Sequence, residues 1–465
     1  MPDDAPHAEV QEPDLLVLGS GTVAQIVAYP AAKAGWSVVM VESTAFGGTC
    51  ANRGCDAKKP LVNAAEALHR VRALRDAGLV GELKLDWKQL MAFKRTFTDP
   101  VDAKTLDDLQ GAGIRTVRGL PKFEDADTVR VGDDTFRPKR ATLIATGQRP
   151  MHLDIPGAGH AIDSDAFLEL DALPPRVALI GGGYISMEFA GAAAAAGAQV
   201  TVIQRGTYPL KQFDADAVKV VLAGMNAHGI DVLTQRSASE IEKLDSGGFR
   251  IRFEEDTAPP VEADLVVAAP GRVPSIDGMD LDAAGIDFDA KAGICVDAHG
   301  RSTSHPRVWA GGDVAATERP ALTPTAVVEG RLIADRLVRG VDRVLDAETP
   351  IPSAAFTIPT IAEVGLGSDA AEAAGHAVEV VAGDASQWKM MRELGERHAY
   401  YRFVFDADTQ KLLGATLVGP HVEEIINVFA LAIRDGCDRN HFTSTIFAYP
   451  SYGFNLQNVV RKAQR

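Results

Sequence analysis

A short glycine pattern between two apolar runs occurs near the start of the chain and again about 160 residues later. The first copy, in LLVLGSGTVAQIVAYPAAKAGWSVVMVE, has the spacing G-x-G-x-x-A at Gly19, Gly21 and Ala24. In such a pattern the glycines make a tight turn and admit a pyrophosphate, and the third small residue lets a helix pack closely. Glu42 ends the next apolar run, where a carboxylate can accept a hydrogen bond from a ribose hydroxyl. The pattern predicts a dinucleotide-binding βαβ unit.

The second copy, RVALIGGGYISMEFAGAAAAAGAQVTVIQR, places Gly181, Gly183 and Ser186 at the same three positions. Its second strand does not end in an acid, because Gln204 and then Arg205 follow, with Lys211 a little further on. An acid would repel a ribose 2′-phosphate, whereas two cations attract it. We therefore predict NADPH in preference to NADH. The alternative is that both cations are ordinary solvated surface charges.

A third pattern, VWAGGDVAATERPALTPTAVVEGR, places Asp313 after a short strand and two glycines. This position suits a carboxylate that hydrogen-bonds the ribityl chain of a flavin. Two dinucleotide units cannot both hold NADPH in one hydride-transfer site, so the other nucleotide is predicted to be FAD. The segments 141–150 and 268–274 are predicted to cross between the units.

Two cysteines follow the first glycine unit in the run GGTCANRGC. Cys50 and Cys55 are followed closely by Lys58 and Lys59. A closely spaced pair beside a cofactor fold can open and close as a disulfide without unfolding the chain. The alternative is two buried free thiols, which are common in protein cores. The glycines and lysines around the pair favour a redox couple.

Composition excludes several classes of function. The net charge of −16 argues against a nucleic-acid partner, which needs a basic face. Four cysteines in 465 residues are too few for a secreted disulfide scaffold. Residues 1–13 are acidic and polar, unlike a signal peptide, and are expected to be a disordered leader. No window is apolar enough to span a membrane, and we expect a cytoplasmic protein.

The sequence predicts an α/β fold with two Rossmann-like domains and a C-terminal α+β domain. Beyond Thr349, strand patterns around AYYRFVF and LLGATLVG precede helical patterns at VEEIINVFALAIRDG and FNLQNVVRKA, which is typical of a sheet covered by helices. The expected domains are an FAD-binding domain at 14–150 and 276–348, an NAD(P)H-binding domain at 151–275 and a dimerisation domain at 349–465.

The chain resembles the pyridine nucleotide–disulfide oxidoreductases, which include glutathione reductase, dihydrolipoamide dehydrogenase and mercuric reductase. The resemblance runs from Leu15 to about Tyr449 and rests on GGTCANRGC, GGGYISME, the ATG and AGGD boxes and LTPTAVVEGR, in the family's order. It implies an FAD-containing homodimer whose C-terminal domain pairs the subunits.

The resemblance also implies roles for individual side chains. Cys55 matches the thiolate that contacts the flavin, and Cys50 the thiol that meets the substrate. Lys58 and Glu188 match an ion pair beside the flavin, and Tyr184 the ring that covers the flavin until nicotinamide arrives. The expected cofactor-binding residues are Gly19, Gly21, Ala24, Glu42, Gly48, Thr49, Lys58, Ala145, Thr146, Gly147, Gly181, Gly183, Tyr184, Ile185, Glu188, Arg205, Lys211, Gly271, Arg272, Gly312, Asp313 and Thr323.

The chain departs from the family at its proton-transfer site. Tyr449 occupies the position of the family's histidine, which the partner subunit contributes, and Phe454 that of the glutamate that orients it. A phenol cannot shuttle protons at neutral pH as an imidazole does, although it can donate a hydrogen bond to a thiolate. Val27 stands where glutathione reductases carry a substrate-binding arginine, whereas Arg331 and Ser20 are retained.

These features predict an FAD- and NADPH-dependent enzyme that reduces a small disulfide or related acceptor through Cys50 and Cys55. One alternative is a diaphorase-type flavin reductase that reduces quinones. Relatives of mercuric reductase or of the ketopropyl-coenzyme M oxidoreductase/carboxylase are others, and a dimeric redox sensor is the non-enzyme alternative. Cys295 and Cys437 lie alone and the tail lacks a cysteine pair, so no metal site is expected.

Overall fold

The structure, a computed structural model, describes residues 10–255, 257–346 and 349–462. Most of the expected leader lies outside the described residues, but Val10–Gln11 within it form a strand that pairs with residues 135–136. The chain divides into two compact units. The first combines the described parts of Met1–Lys58, Phe93–Met151 and Arg272–Ala347, and the second those of Lys59–Ala92, His152–Gly271 and Glu348–Arg465.

The strands in the described residues are β1 (Val10–Gln11), β2 (Leu15–Leu18), β3 (Val38–Glu42), β4 (Arg115–Arg118), β5 (Pro121–Phe123), β6 (Val129–Val131), β7 (Asp134–Phe136), β8 (Ala141–Ile144), β9 (Gln148–Pro150), β10 (Arg176–Ile180), β11 (Gln199–Gln204), β12 (Ile230–Thr234), β13 (Ala238–Lys243), β14 (Phe249–Phe253), β15 (Val261–Ala263), β16 (Leu265–Ala268), β17 (Arg272–Pro274), β18 (Phe288–Asp289), β19 (Gly293–Cys295), β20 (Val308–Ala310), β21 (Ala315–Ala316), β22 (Ser353–Ala355), β23 (Ile361–Gly365), β24 (Val378–Asp384), β25 (Tyr400–Asp406) and β26 (Leu412–Val418).

The α-helices in the same residues are α1 (Thr22–Lys33), α2 (Gly48–Arg53), α3 (Cys55–Ala73), α4 (Trp87–Thr98), α5 (Val101–Gly111), α6 (Ser164–Phe167), α7 (Tyr184–Ala195), α8 (Ala215–Ala227), α9 (Thr323–Leu337), α10 (Ser368–Ala373), α11 (Lys389–Glu393), α12 (Val422–Arg434), α13 (Arg439–Ser444) and α14 (Tyr452–Lys462). None of them is both long and apolar enough to cross a membrane.

The first unit is built on a parallel sheet in the order β20-β8-β2-β3-β4. Strands β2, β3 and β8 are buried along their whole length, which explains their nearly continuous apolar sequences. Buried side chains of α1, among them Val23 and Ala24, pack in one core cluster with residues of β2 and β8. The first glycine turn therefore lies at the C-terminal end of this sheet, where such folds bind ligands.

The second unit contains a parallel sheet in the order β12-β11-β10-β16 and an antiparallel sheet in the order β22-β23-β26-β25-β24. Helix α7 is buried from Ser186 to Ala193, a stretch that includes its small residues Ala190, Gly191, Ala192 and Ala193. The parallel and antiparallel sheets confirm the predicted fold class of two Rossmann-like domains and an α+β domain.

Within this unit the nucleotide-binding residues and the C-terminal residues contact each other directly. The Asp214 amide donates to the Glu363 carboxylate over 2.9 Å. A Cβ added to Gly224, on α8, would lie 2.4 Å from Pro359 Cδ. The unit is therefore held together by contacts between residues that are far apart in sequence.

Candidate active site

The first glycine turn packs too tightly for a side chain. Gly19 has φ of +101°, and a Cβ there would lie 2.3 Å from the Ala145 carbonyl oxygen. A Cβ on Gly48 would lie 2.5 Å from Gly21 Cα. Backbone from three separate segments thus meets at the N-terminus of α1, where unpaired helix amides can bind a phosphate.

Glu42 is buried beside this turn and is held in place by hydrogen bonds. Its carboxylate accepts from Ser20 Oγ at 2.7 Å and from the Thr44 amide at 2.9 Å. Ser20 Oγ in turn accepts from the Gly47 amide at 3.0 Å. The buried Ser20 hydroxyl therefore fixes Glu42 and the loop that leads to α2, and a contact of Ser20 with substrate stays a prediction.

The two cysteines are brought together by a sharp reversal between α2 and α3. Gly54 lies at the reversal, and a Cβ there would lie 2.8 Å from the Thr49 carbonyl oxygen and 3.0 Å from Cys50 Cα. Only glycine leaves room for the first turn of α3 to fold back over α2. Cys50 and Cys55, which four residues separate in sequence, are thus in direct contact.

A third side chain contacts both sulfur atoms. Thr323, the first residue of α9, donates its hydroxyl to Cys50 Sγ at 3.3 Å, and its oxygen lies 3.8 Å from Cys55 Sγ. The hydrogen bond with Cys55 and burial raise the pKa of the Cys50 thiol, whereas the Thr323 hydroxyl lowers it. The pair is thus held as two neighbouring thiols, which is the geometry needed for oxidation to a disulfide.

We expect Gly54→Ala to disturb the cysteine pair strongly, although the substitution adds only one methyl group. The added methyl group must displace the Thr49 carbonyl or the start of α3, which should lower the free energy of unfolding by about 1–3 kcal/mol. Thermal denaturation measures the loss, and the rate of thiol reoxidation measures the effect on the pair. Gly111→Ala, which meets nothing within 4 Å, is the matched control. Equal behaviour of the two variants would contradict the assignment.

Asp313 also lies in the first unit, in the loop that follows β20. Burial raises the pKa of its carboxyl, and the nearby Arg272 guanidinium lowers it. Arg272 also donates to the Gln148 carbonyl at 2.5 Å. The hydroxyls of Thr146 and of Thr325, in the first turn of α9, are buried without a hydrogen-bond partner among the described residues. Polar atoms of this kind are what a bound flavin nucleotide would satisfy, so these residues fit FAD.

The second glycine turn repeats the geometry of the first. A Cβ on Gly181 would lie 2.0 Å from the Ala269 carbonyl oxygen. The buried Ser186 hydroxyl in the first turn of α7 has no hydrogen-bond partner in the described part of the chain. Tyr184, the first residue of that helix, packs edge-on against Phe213 with 5.6 Å between ring centroids. This turn fits a nicotinamide dinucleotide.

Arg205 and Lys211 line one cleft of about 320 Å³ beyond the end of β11. Gln204, Thr207 and Tyr208 also line it. Both cations are exposed, so they are available to a ligand without the cost of breaking a buried contact. The cleft therefore combines two positive charges with a hydroxyl-bearing wall, a setting suited to a phosphate monoester.

Glu188 is fully buried on α7. Its Oε1 atom accepts from the Phe356 amide at 3.0 Å, so a residue of the C-terminal segment fixes the orientation of this carboxylate. Lys58, its expected partner, lies one turn after Cys55 on α3 and belongs to the first unit. The Lys58–Glu188 ion pair stays a prediction.

The remaining expected cofactor positions lie on the same turns and loops. Gly147 is bonded through its carbonyl to the Ser275 amide at 2.9 Å. The others are described by their elements alone: Thr49 on α2, Ile185 on α7, Gly271 before β17 and Gly312 after β20. Their contacts with cofactor stay predictions.

Tyr449 is 62% exposed and lies just before α14. Its ring packs edge-on against Phe454 at 4.8 Å, and its hydroxyl accepts from Lys389 Nζ at 3.3 Å. The motif pattern did not indicate Lys389, because it lies 60 residues earlier on a short helix. Asp438 is the N-cap of α13: its side chain accepts from the His441 amide, and the His441 side chain accepts from the Asp438 amide in return.

Val27 is fully buried in the core against the parallel sheet of the first unit. This burial does not test what the resemblance implies, namely that the position lacks the substrate-binding arginine of glutathione reductases, and that difference stays a prediction. Arg331 is exposed on α9 and stays available for a substrate anion.

Comparison with known proteins decides the family. Residues 13–330 match the family described as pyridine nucleotide-disulphide oxidoreductase, and residues 351–459 match the dimerisation domain of that family. The chain belongs to this family. It is an FAD- and NAD(P)H-dependent disulfide oxidoreductase, and its C-terminal segment is a dimerisation domain. These findings confirm the predicted enzyme class and cofactors and do not favour the diaphorase or sensor alternatives.

Relatives within the family agree over nearly the full chain. A glutathione reductase of Nostoc is 32% identical over 94% of this chain and 97% of its own length. Dihydrolipoyl dehydrogenase 2 of Haloarcula marismortui is also 32% identical, over 94% of each chain. A solved structure of the HOCl-induced flavoprotein disulfide reductase RclA from Escherichia coli matches with a TM-score of 0.86 over 96% of this chain and 99% of its own. At 24% identity this last likeness speaks to the fold alone.

Proposed function

We propose that the enzyme transfers two electrons from NADPH through FAD to a Cys50–Cys55 disulfide and then to a small-molecule disulfide. When bound, FAD accepts a hydride and passes the electron pair on to sulfur. The cysteine disulfide takes up two electrons and two protons to give two thiols. These thiols reduce the acceptor to two thiols and close again as a disulfide. The net reaction consumes NADPH, one proton and one disulfide, and gives NADP⁺ and two thiols.

The contact of Thr323 with both sulfur atoms is the observation that carries this proposal. It supports a pair that is held for reversible oxidation rather than two unrelated core thiols. A hydroxyl at this place can stabilise whichever sulfur carries negative charge. By the resemblance to the family, Cys50 is assigned to attack the acceptor, and Cys55 to exchange electrons with the flavin.

Anaerobic thiol titration tests the proposal directly. The purified enzyme, as oxidised by air, should gain two titratable thiols per subunit after one equivalent of NADPH, and the same two should be alkylated at Cys50 and Cys55 in a peptide map. Cys295 and Cys437 provide the internal reference, because their labelling should not change. No gain in thiols after full flavin reduction would refute the proposal.

The acceptor is proposed to bind between two copies of the chain. Support comes from the dimerisation domain and from apolar side chains that are exposed in one copy: Val428 and Leu431 on α12, and Ile446, which is 98% exposed. Tyr449, which is 62% exposed and lies three residues after Ile446, is proposed to be covered by the second copy as well. The expected cytoplasmic location stays a prediction.

We expect slow turnover of glutathione disulfide, because Tyr449 and Phe454 do not form the histidine–glutamate pair that protonates a leaving thiolate. General acid catalysis contributes about 10²–10⁴-fold, so the acceptor half-reaction should be slow by a factor in that range. The double variant Tyr449→His with Phe454→Glu should raise kcat for the disulfide and introduce a titration near neutral pH.

The single variant Phe454→Glu is the control, since a carboxylate without the imidazole should not raise the rate. Wild-type turnover of glutathione disulfide at the rate of ordinary reductases would contradict the prediction. Faster reduction of quinones than of any disulfide, persisting after both cysteines are alkylated, would favour a diaphorase instead.

A further inference from the structure

A buried carboxylate on α9 ties this helix to the glycine loop that carries Asp313. Glu329 is 5% exposed. Its Oε2 atom accepts from the Gly312 amide at 2.8 Å. Its Oε1 atom lies 3.3 Å from the Thr317 hydroxyl and 3.4 Å from the Arg319 guanidinium. Both oxygens of one side chain therefore hold the loop between β20 and α9, at its start and near its middle.

Backbone hydrogen bonds also support the start of the loop: the Gly311 amide donates to the Ile144 carbonyl at 3.4 Å, and the Gly312 carbonyl accepts from the Ala315 amide at 2.9 Å. The Gly312 amide itself donates to Glu329. Gly311 and Gly312 pack on Ile333 and Val23, where a Cβ would lie within about 3 Å of their side chains. Asp313 follows directly, so the orientation of its backbone depends on the Gly312 amide. Since an amide without an acceptor is costly, the Glu329 carboxylate contributes to fixing where this peptide group points.

The same helix also reaches the cysteine pair. Its first residue, Thr323, donates to Cys50 Sγ at 3.3 Å. Glu329 follows six residues later, which is roughly 9 Å along the helix axis at 1.5 Å per residue. Helix α9 thus contacts the sulfur atoms with its first residue and anchors the Asp313 loop with a carboxylate less than two turns later.

We propose that Glu329 is a positioning residue for the flavin: it orients Asp313 through the Gly312 amide and fixes α9 against the loop, with Arg319 neutralising its buried charge. The inference rests on the proposed function in one respect, namely that Asp313 faces FAD. Glu329 itself contacts no reacting atom. Its side chain acts through the loop, and the sequence motif did not indicate it.

FAD affinity tests this role without reliance on turnover. Apoprotein, prepared by acid ammonium sulfate, is titrated with FAD while the quenching of flavin fluorescence is followed. Glu329→Ala removes both acceptors and should weaken FAD binding by roughly 10–100-fold, as expected for a buried donor left unpaired. Glu329→Gln keeps an acceptor for the Gly312 amide and should recover most of the affinity.

Asp335→Asn is the matched control, because Asp335 is also a buried carboxylate on α9 but pairs with Arg339 and Arg343 instead of the loop. It should lower the melting temperature of the apoprotein without changing FAD affinity. Wild-type affinity in Glu329→Ala, or equal weakening by Asp335→Asn, would overturn the proposal. If Glu329→Ala does not fold, Glu329→Gln and Arg319→Met decide: wild-type affinity in both would likewise overturn it, and weaker binding in Arg319→Met would support it.

Failure of this inference is distinguishable from failure of the proposed function. The gain of two thiols in the wild-type enzyme after addition of NADPH tests electron transfer to the cysteines and does not involve Glu329. With saturating FAD, Glu329→Ala should show the same gain. A wild type that gains thiols while Glu329→Ala binds FAD normally would refute only the positioning role.

Discussion

Replacing Cys50 with serine is expected to lower kcat/KM for the disulfide acceptor by roughly 10³-fold or more, as loss of an enzyme's nucleophile does. Serine keeps the size and the hydrogen bond from Thr323, but it cannot form the disulfide. Reduction of the flavin by NADPH should remain fast, because it does not require sulfur. Stopped-flow absorbance separates the two half-reactions, and steady-state turnover of the disulfide measures the loss.

Cys437→Ser and Cys295→Ser are the controls for this experiment, since both residues lie away from Thr323 and the pair in sequence and carry no proposed role. Each should turn over the acceptor as the wild type does. Retention of disulfide turnover in Cys50→Ser would show that the acceptor takes electrons from another group. A slow flavin reduction in that variant would instead indicate a distorted fold.

Reversing the two cations of the coenzyme cleft should have the second large effect. Arg205→Glu with Lys211→Glu replaces two attractive charges with repulsive ones in a cleft of about 320 Å³. Charge-assisted hydrogen bonds contribute about 1.5–3 kcal/mol each, so the ratio of kcat/KM for NADPH to that for NADH should fall by roughly 10²-fold or more. The effect should weaken as salt concentration rises.

Lys243→Glu serves as the control, because it replaces a cation by an acid, as each of the two substitutions does, on an exposed strand residue of the same unit. The coenzyme ratio should not change in this variant. A wild type with equal kcat/KM for both coenzymes would contradict the prediction, as would a double variant that keeps its preference for NADPH.

Local sequence was sufficient to predict the buried strands and the glycine turns. The apolar run at 15–18 is β2, and the glycine spacings coincide with turns at which a Cβ would collide with backbone. The strand patterns around Tyr400 and Leu412 are β25 and β26. These predictions hold because a strand buried on both faces has a continuous apolar sequence, and a strand buried on one face has an alternating one.

Long-range contacts could not be predicted in the same way. The motif at the start of α1 gave no indication that the Val27 side chain is fully buried in the core. Glu329 and Lys389 were missed because a charged residue inside a helix gives no signal of what it contacts. Residues 10–13 were expected to be disordered, but Val10–Gln11 pair with a strand about 125 residues later.

The contacts inside the second unit determine which segments a chimaera with a related enzyme would have to keep together. The boundary between the two matched family regions falls between residues 330 and 351, yet the Phe356 amide holds Glu188, and Pro359 fills the space beside Gly224. A chimaera that imports another coenzyme domain would therefore have to import residues 356–363 with it. The residues that would have to be exchanged together to change the coenzyme are therefore not continuous in sequence, and they include the start of the dimerisation segment.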